Sequence, residues 1–255
     1  MIASLRPAGG VLATRNRPGR LLLIAFLLSF VGLTACASSD SVAPLTISQP
    51  LPDQESLTYI LLDHQNSKIA SAQFGIQRQG DALVLTQLYT DLSGHTDNTT
   101  VTADAATLAP RSARHTIDTG ATQTALVVTY IGGKLSAAAS TGGKQRRHEA
   151  KLLAGSYDDR ESPFLLRTLP FTAEFTARFG SVIVDPTTAT ISRALATARV
   201  LGTTTVKLGD KNFKAWEVQL SAAGRTNTAW FDSGPGRRLL RYTFGGETTI
   251  ELANP

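Results

Sequence analysis

The chain is poor in the residues that cross-link proteins, ligate metals or carry chemistry. Its 255 residues hold one cysteine, one methionine and four histidines. A single cysteine excludes an intrachain disulfide and a thiolate metal site. The only methionine is Met1, which excludes a soft, Met-rich groove. His64, His95, His115 and His148 are dispersed, without H-x-H or H-x-x-x-H spacing, so neither a metal nor a cofactor is read from them. No G-x-S-x-G nucleophile elbow occurs, and the glycines form no phosphate loop or dinucleotide fingerprint. No catalytic residues are assigned. Long apolar runs are missing too. The longest, Leu21 to Leu33, would span about 20 Å as a helix, short of the roughly 30 Å of a bilayer core.

Acid is absent from the first 35 residues, where Arg6, Arg15, Arg17 and Arg20 precede that apolar run. A basic segment followed by a short apolar one is the pattern of an export leader. Leu33-Thr34-Ala35-Cys36 comes directly after it and resembles the lipobox of bacterial lipoproteins. That resemblance implies cleavage before Cys36 and lipidation of its thiol, with the acylated cysteine as the first mature residue. It further implies a membrane partner reached through that cysteine, on the extracytoplasmic side of the bacterial envelope. Ala37, rather than Asp, follows the cysteine, so the retention signal of enteric inner-membrane lipoproteins is absent and the outer membrane is expected where there are two. Of the 25 Lys and Arg, four lie in the leader, leaving 21 against 20 Asp and Glu. A mature net charge of +1 excludes a general nucleic-acid binder, which needs a basic face on its folded domain.

Three segments follow: a signal peptide over 1–35, a lipidated cysteine with flexible tether over 36–56, and one β domain over 57–255. Residues 37–56 are polar and punctuated by Pro44, Pro50 and Pro52. A flexible chain of that length reaches about 25 Å. From Leu57 the pattern becomes strand, turn, strand. Ala70, Ala72, Phe74 and Ile76 alternate with Ser71, Gln73, Gly75 and Gln77. Gln79-Gly80-Asp81 reads as a turn, and Leu83, Leu85, Gln87 and Tyr89 resume the period. Thr124, Leu126, Val128 and Tyr130 repeat it, up to Gly132-Gly133. Near the C-terminus, strands around Val206, Val218, Trp230, Tyr242 and Ile250 are separated by turns at hairpin spacing. Ser162 as N-cap with Pro163 after it opens a short helix that ends before Pro170. Residues 190–201 fit either a helix or a strand. The fold class is therefore mainly β: an antiparallel meander forming a curved sheet or half-barrel, with one or two short helices. Trp216 and Trp230 are expected side by side in its core, where truncation of either costs about 3 to 5 kcal/mol.

Two strings invite sharper readings. Lys144, Arg146, Arg147 and Lys151 form a basic run, of the kind that protects a sheet edge or meets anionic headgroups. Asp118-Thr119-Gly120-Ala121 matches the catalytic string of aspartic proteases, with Tyr130-Ile131-Gly132-Gly133 in the place of a flap. Polar Arg114, His115 and Thr116 precede it where the protease needs an apolar strand, and no second D-T-G occurs. It reads as a hairpin turn.

Leu165 to Phe171, the strand Lys214-Ala215-Trp216-Glu217-Val218-Gln219-Leu220, and Asn227 to Asp232 with Arg237 to Tyr242 resemble a family of bacterial extracytoplasmic domains of unknown function. Its relatives are similar to half-barrel lipoprotein carriers, which cradle acyl chains in a curved sheet over short helices. The resemblance brings no catalytic residue. The expected function is a non-enzymatic, lipid-anchored binding or envelope-maintenance module. The alternatives are a carrier of lipid or another apolar ligand, marked by a continuous cavity, and a hydrolase, marked by a pocket joining His to carboxylates. Because Asp118 is read as a turn residue, Asp118→Asn is expected to change stability by no more than about 0.5 kcal/mol in chemical denaturation. Pepstatin-sensitive peptide cleavage lost in that variant would restore the protease reading.

Overall fold

The structure, a computed structural model, describes residues 42–255. Cys36, the leader and the first part of the tether lie outside the described residues. Eight strands come first: β1 Gln54–Leu62, β2 Lys68–Gln79, β3 Ala82–Asp91, β4 Thr96–Asp104, β5 Pro110–Asp118, β6 Gln123–Ile131, β7 Lys134–Thr141 and β8 Lys144–Lys151. A three-residue strand, β9 Ser156–Asp158, leads into a 3₁₀ turn, Asp159–Glu161, and helix α1, Ser162–Arg167. Six strands complete the chain: β10 Thr176–Val184, β11 Ile191–Leu208, β12 Lys211–Ala222, β13 Arg225–Asp232, β14 Leu239–Phe244 and β15 Thr248–Leu252.

All fifteen described strands belong to one sheet, ordered 8-7-6-5-4-3-2-1-15-14-13-12-11-10-9. Sequence neighbours are therefore sheet neighbours, with one break. Antiparallel pairing of β1 with β15 joins the two runs, while β8 and β9 stand at the two ends unpaired with each other. The result is a curved, unclosed sheet with a seam between β8 and β9. β9 pairs with β10 in parallel, because the 3₁₀ turn and α1 form a crossover between them. No helix among the described residues is long and apolar enough to cross a membrane.

Period-two patterning sets the inner face. Ala70, Ala72, Phe74 and Ile76 of β2, Leu83 and Leu85 of β3, and Leu126, Val128 and Tyr130 of β6 are all buried. Gly80, with φ of +63°, makes the β2–β3 turn in the left-handed region that favours glycine. Residues 190–201 fall in β11, whose Ala196, Ala198 and Val200 face the core. Thr203, Thr204, Thr205 and Val206 extend the strand, since β-branched side chains suit a pleated surface. The register against β12 slips at Gly202, φ +133°; residues 191–199 of β11 pair with β10, and 197–208 pair with β12.

The interior of the sheet is occupied. Every residue of α1 is buried, and Phe164 meets Phe74 with ring centres 5.9 Å apart. Residues 42–53, expected as tether, are docked as a strap. Leu45 and Leu51 are buried, the Leu45 N–H donates to the Tyr157 hydroxyl at 3.0 Å, and the Ser48 N–H donates to the Thr168 carbonyl at 2.9 Å. Two leucines and these hydrogen-bond partners hold a segment that its prolines and polar residues mark as coil. β1 then starts at Gln54, ahead of Leu57. Among the described residues the core cluster runs from Leu45 to Leu252.

The tryptophans depart from expectation. Trp216 pairs with Phe231 on the inner side but stays half-buried at the margin, against Phe171 at 5.9 Å. Trp230 lies on the outer face, opposite Glu217 and Arg241, with the Arg241 guanidinium 5.9 Å from its ring centre. Ala229 and Phe231, both 0% exposed, hold the core positions of β13. Alternation fixes that Trp230 and Phe231 face opposite ways, and size alone does not say which one goes inside. Phe231→Ala is accordingly expected to cost about 3 to 5 kcal/mol in urea denaturation and Trp230→Ala about 1 kcal/mol or less. Equal losses would return Trp230 to the core.

Candidate functional site

A half-barrel holds a ligand, if it holds one, against its concave face. Here that space contains the segment Asp158-Asp159-Arg160-Glu161 and α1. The segment is a capping box. The Arg160 N–H donates to Asp158 Oδ1 at 3.0 Å, and the Asp158 N–H donates to Glu161 Oε1 at 2.8 Å. Both carboxylates have 0% exposure, which is tolerable only with partners. Arg160 Nη1 lies 3.0 and 3.1 Å from the two Asp158 oxygens, and its Nη2 donates to the Val184 carbonyl at 2.7 Å. The Tyr130 hydroxyl donates to Asp158 Oδ2 at 2.5 Å. Gln87 Nε2 donates to the Arg160 carbonyl, and the Tyr89 hydroxyl donates to Gln87 Oε1 at 3.2 Å. Strands β3, β6 and β10 thus grip one turn.

Four ionisable groups in the cluster are shifted by their surroundings, Tyr89 among them, its hydroxyl raised by burial. Burial raises the Tyr130 hydroxyl, and the Asp158 charge adds to it. Burial also raises Asp159, with Asp158 adding and the Ser181 hydroxyl, 3.2 Å away, opposing. Glu161 is held well above the ordinary carboxylate range by burial, then by Asp158, against the hydrogen bond from the Asp158 N–H. Its Oε2 is buried without a partner.

The far end of α1 is fastened separately. Buried Arg167 forms a two-pronged pair with Glu55 of β1, Nη2 to Oε2 being 3.0 Å, while its Nε donates to the Gly236 carbonyl at 3.0 Å. Arg237 Nη1 donates to the Leu169 carbonyl at 2.7 Å, and its guanidinium lies 4.2 Å from the Phe171 ring centre. Chemically, these groups are occupied with one another, and what they hold is the helix.

Surface clefts among the described residues lie elsewhere. One of about 350 Å³ is lined by Val42, Leu153, Ala154, Ser181, Arg193 and Leu195 among others; the second, of about 260 Å³, lies over Gly75 between β1 and β3. None of Asp158, Asp159, Arg160 and Glu161 lines either. His115 Nε2 is 2.7 Å from Asp97 Oδ1, and His95 Nδ1 is 2.9 Å from Asp91 Oδ2, yet neither pair borders either of these two clefts. Among the described residues no three His, Cys, Asp or Glu come together as metal ligands. Asp118 makes its turn, accepting the Gly120 N–H at 2.8 Å, with Gly120 at φ +73°. The basic run is β8 itself, exposed at the sheet edge. Cys36, the one assigned site, lies outside the described residues.

The capping box was legible as D-x-x-E before Ser162-Pro163, a signal the choice of Ser162 as N-cap passes over. Glu161 occupies the cap position of α1 without a side-chain bond to that helix's own N–H groups, its Oε1 accepting instead from the Asp158 N–H of the preceding 3₁₀ turn. The raised Glu161 makes a pH prediction. The folded protein keeps a proton that the unfolded chain releases near pH 4.3. The stability this contributes is complete below that pH and is lost as pH rises through the folded value, by up to about 1.4 kcal/mol per unit. Glu161→Gln, neutral throughout, should remove that decline and gain on wild type as pH rises. Parallel stability–pH curves for the two proteins would show that Glu161 is ionised in the fold.

Residues 64–252 match the model of a protein family of unknown function, DUF3108. The chain matches no curated protein. Among solved structures it is similar to a β-barrel-like DUF1849 protein from Brucella abortus, at 11% identity and a TM-score of 0.48, over 80% of this chain and 96% of that one. It is also similar to a candidate exported protein with a YmcC-like fold from Bacteroides fragilis, at 8% identity and a TM-score of 0.32, over 83% and 98%. The family match runs from the β1–β2 turn to the last strand, through the capping box, α1, Arg167 and Arg237 but not Glu55, and on that match the chain belongs to the DUF3108 family.

Proposed function

We propose that the protein is anchored by lipid on Cys36 at the extracytoplasmic side of the bacterial envelope, in the outer membrane where there is one. There it serves as a non-catalytic binding or envelope-maintenance module. The leader and the lipobox-like Leu33 to Cys36 support the anchoring. The observation that carries the module reading is the filled interior. Phe164, Leu165 and Leu166 are each at most 5% exposed where a carrier would hold an acyl chain. Exposing them to admit one would cost about 1.5 to 3 kcal/mol each, besides breaking the paired Asp158–Arg160 and Arg167–Glu55 groups. Recognition is therefore assigned to the outer surface. The hydrolase alternative is disfavoured because no histidine lines either cleft, and the one carboxylate that does, Glu55, is paired with Arg167.

Cys36→Ala is expected to abolish lipid labelling and to leave the protein unprocessed or released from membranes, since no other thiol can accept the diacylglyceryl group. Unchanged membrane retention and mature mass in that variant would refute the anchor. Native mass spectrometry of the protein purified without detergent should show no lipid beyond the one on its N-terminus. A second, stoichiometric lipid would favour the carrier.

A further inference from the structure

The point at which the chain enters the body decides which side of the body can face a lipid surface. The described body begins at Val42, whose carbonyl packs so closely on Gly155 that a Cβ there would lie 2.2 Å away. Val42 also lines the 350 Å³ cleft beside the seam, with Leu153, Ala154, Arg193 and Leu195. Five residues separate it from Cys36, so the connection reaches at most about 20 Å. A nine-residue strand such as β1 is itself about 30 Å long. An anchor at Cys36 therefore keeps the seam side near the bilayer.

That side has the composition of a membrane-facing surface. β8 borders the seam and exposes Lys144, Arg146, Arg147 and Lys151 against one acid, Glu149. Arg193 of β11 crosses the seam to donate to the Lys151 carbonyl at 3.1 Å, adding a fifth cation. Four large apolar side chains are exposed among the described residues, and three lie here: Val127 at 37%, Ile131 at 72% and Leu195 at 53%. Cross-strand register sets Val127, Ala138 and Arg147 in one row and Ile131, Lys134 and Lys151 in another, so apolar and basic side chains share a face. Protection of a free edge accounts for charge on β8, but not for Ile131 and Leu195 in water. Apolar side chains set among lysines and arginines suit the headgroup boundary of an anionic bilayer.

We infer that this seam face docks on anionic lipid headgroups, with β8 and Arg193 supplying the cations and Val127, Ile131 and Leu195 entering the interface. The inference rests on the anchoring of Cys36. It goes further by assigning an orientation and a second, non-covalent hold on the membrane.

With Cys36 consumed by lipid, an introduced cysteine is the only free thiol. The lipidated full chain carrying Gln145→Cys in β8, or Thr58→Cys in β1 seven places away along the sheet, is labelled with bimane and reconstituted into vesicles. The vesicles are phosphatidylcholine alone or with about 30% phosphatidylglycerol, each with a nitroxide-headgroup quencher. Quenching at Gln145→Cys is expected to be severalfold stronger in anionic than in neutral vesicles, with none at Thr58→Cys. Each cation near the surface shifts the docked-to-free ratio about fivefold, so adding Arg147→Glu and Lys151→Glu, the two β8 cations that share the face of Val127 and Ile131, should lower it about 25-fold or more. Circular dichroism of that variant checks its fold. Equal quenching at the two positions, or quenching indifferent to phosphatidylglycerol, overturns the docking while a diacylated Cys36 mass leaves the anchor standing. Absence of that mass overturns the anchor and the docking with it. Crosslinking of Gln145→Cys to itself in a detergent-free dimer would make the face an interface between copies.

Discussion

Asp158 has no exposed surface, and an ionised carboxylate in that position is tolerable only with partners arranged around it. Arg160, Tyr130 and the backbone of the 3₁₀ turn provide them. Because Tyr130 comes from β6 and the Arg160 side chain ends on the last residue of β10, one ion pair fixes the turn against both halves of the sheet. Removing one partner would leave the other buried and unpaired, a loss of about 3 to 5 kcal/mol by comparison with other buried pairs. A helix of only six residues has little stability of its own. Its position comes from this ion pair at one end and from Arg167 with Glu55 at the other.

The seam follows from the same segment. Up to β8, each hairpin places the next strand beside the last, and a further hairpin would continue the sheet. Instead the chain turns inward through β9, fills the concave face with α1, and resumes at β10 with a parallel pairing. A sheet that supplies its own filling does not close at the place where the filling enters. What remains is an edge strand carrying four basic residues, a cleft where β9 is too short to bridge the gap, and a strap, residues 42–53, crossing to the chain's entry point. The filled interior and the charged seam are consequences of one topological event.

Most of the fold was legible in the sequence because it follows from local alternation. Ala70 to Ile76, Leu83 to Gln87 and Thr124 to Tyr130 bury the residues that period two selects. The turns at Gly80 and Gly120 form where glycine permits a positive φ. Ambiguity arose where two rules compete. Residues 190–201 satisfy both periods, and pairing with β10 on one side and β12 on the other decided for strand. Trp230 and Phe231 are adjacent, so the pattern required one inside and one outside, and the register with Glu217 and Arg241 put the tryptophan out.

The sequence by itself determined the class of the fold, the basic and then apolar N-terminal pattern with its lipobox-like end, the single thiol, and the absence of the motifs that nucleotide, metal or nucleophile chemistry requires. These are properties of composition and short-range spacing, which need no folding to be present. Only the tertiary structure decided that the half-barrel is full, because α1 and its partners Gln87, Tyr130, Glu55 and Gly236 are brought together from distant parts of the chain. It likewise decided that Leu45 and Leu51 belong to the body, since a proline-rich segment binds only where buried partners such as Tyr157 and Thr168 are already assembled. Burial and pairing across the chain are collective, and no local pattern encodes them.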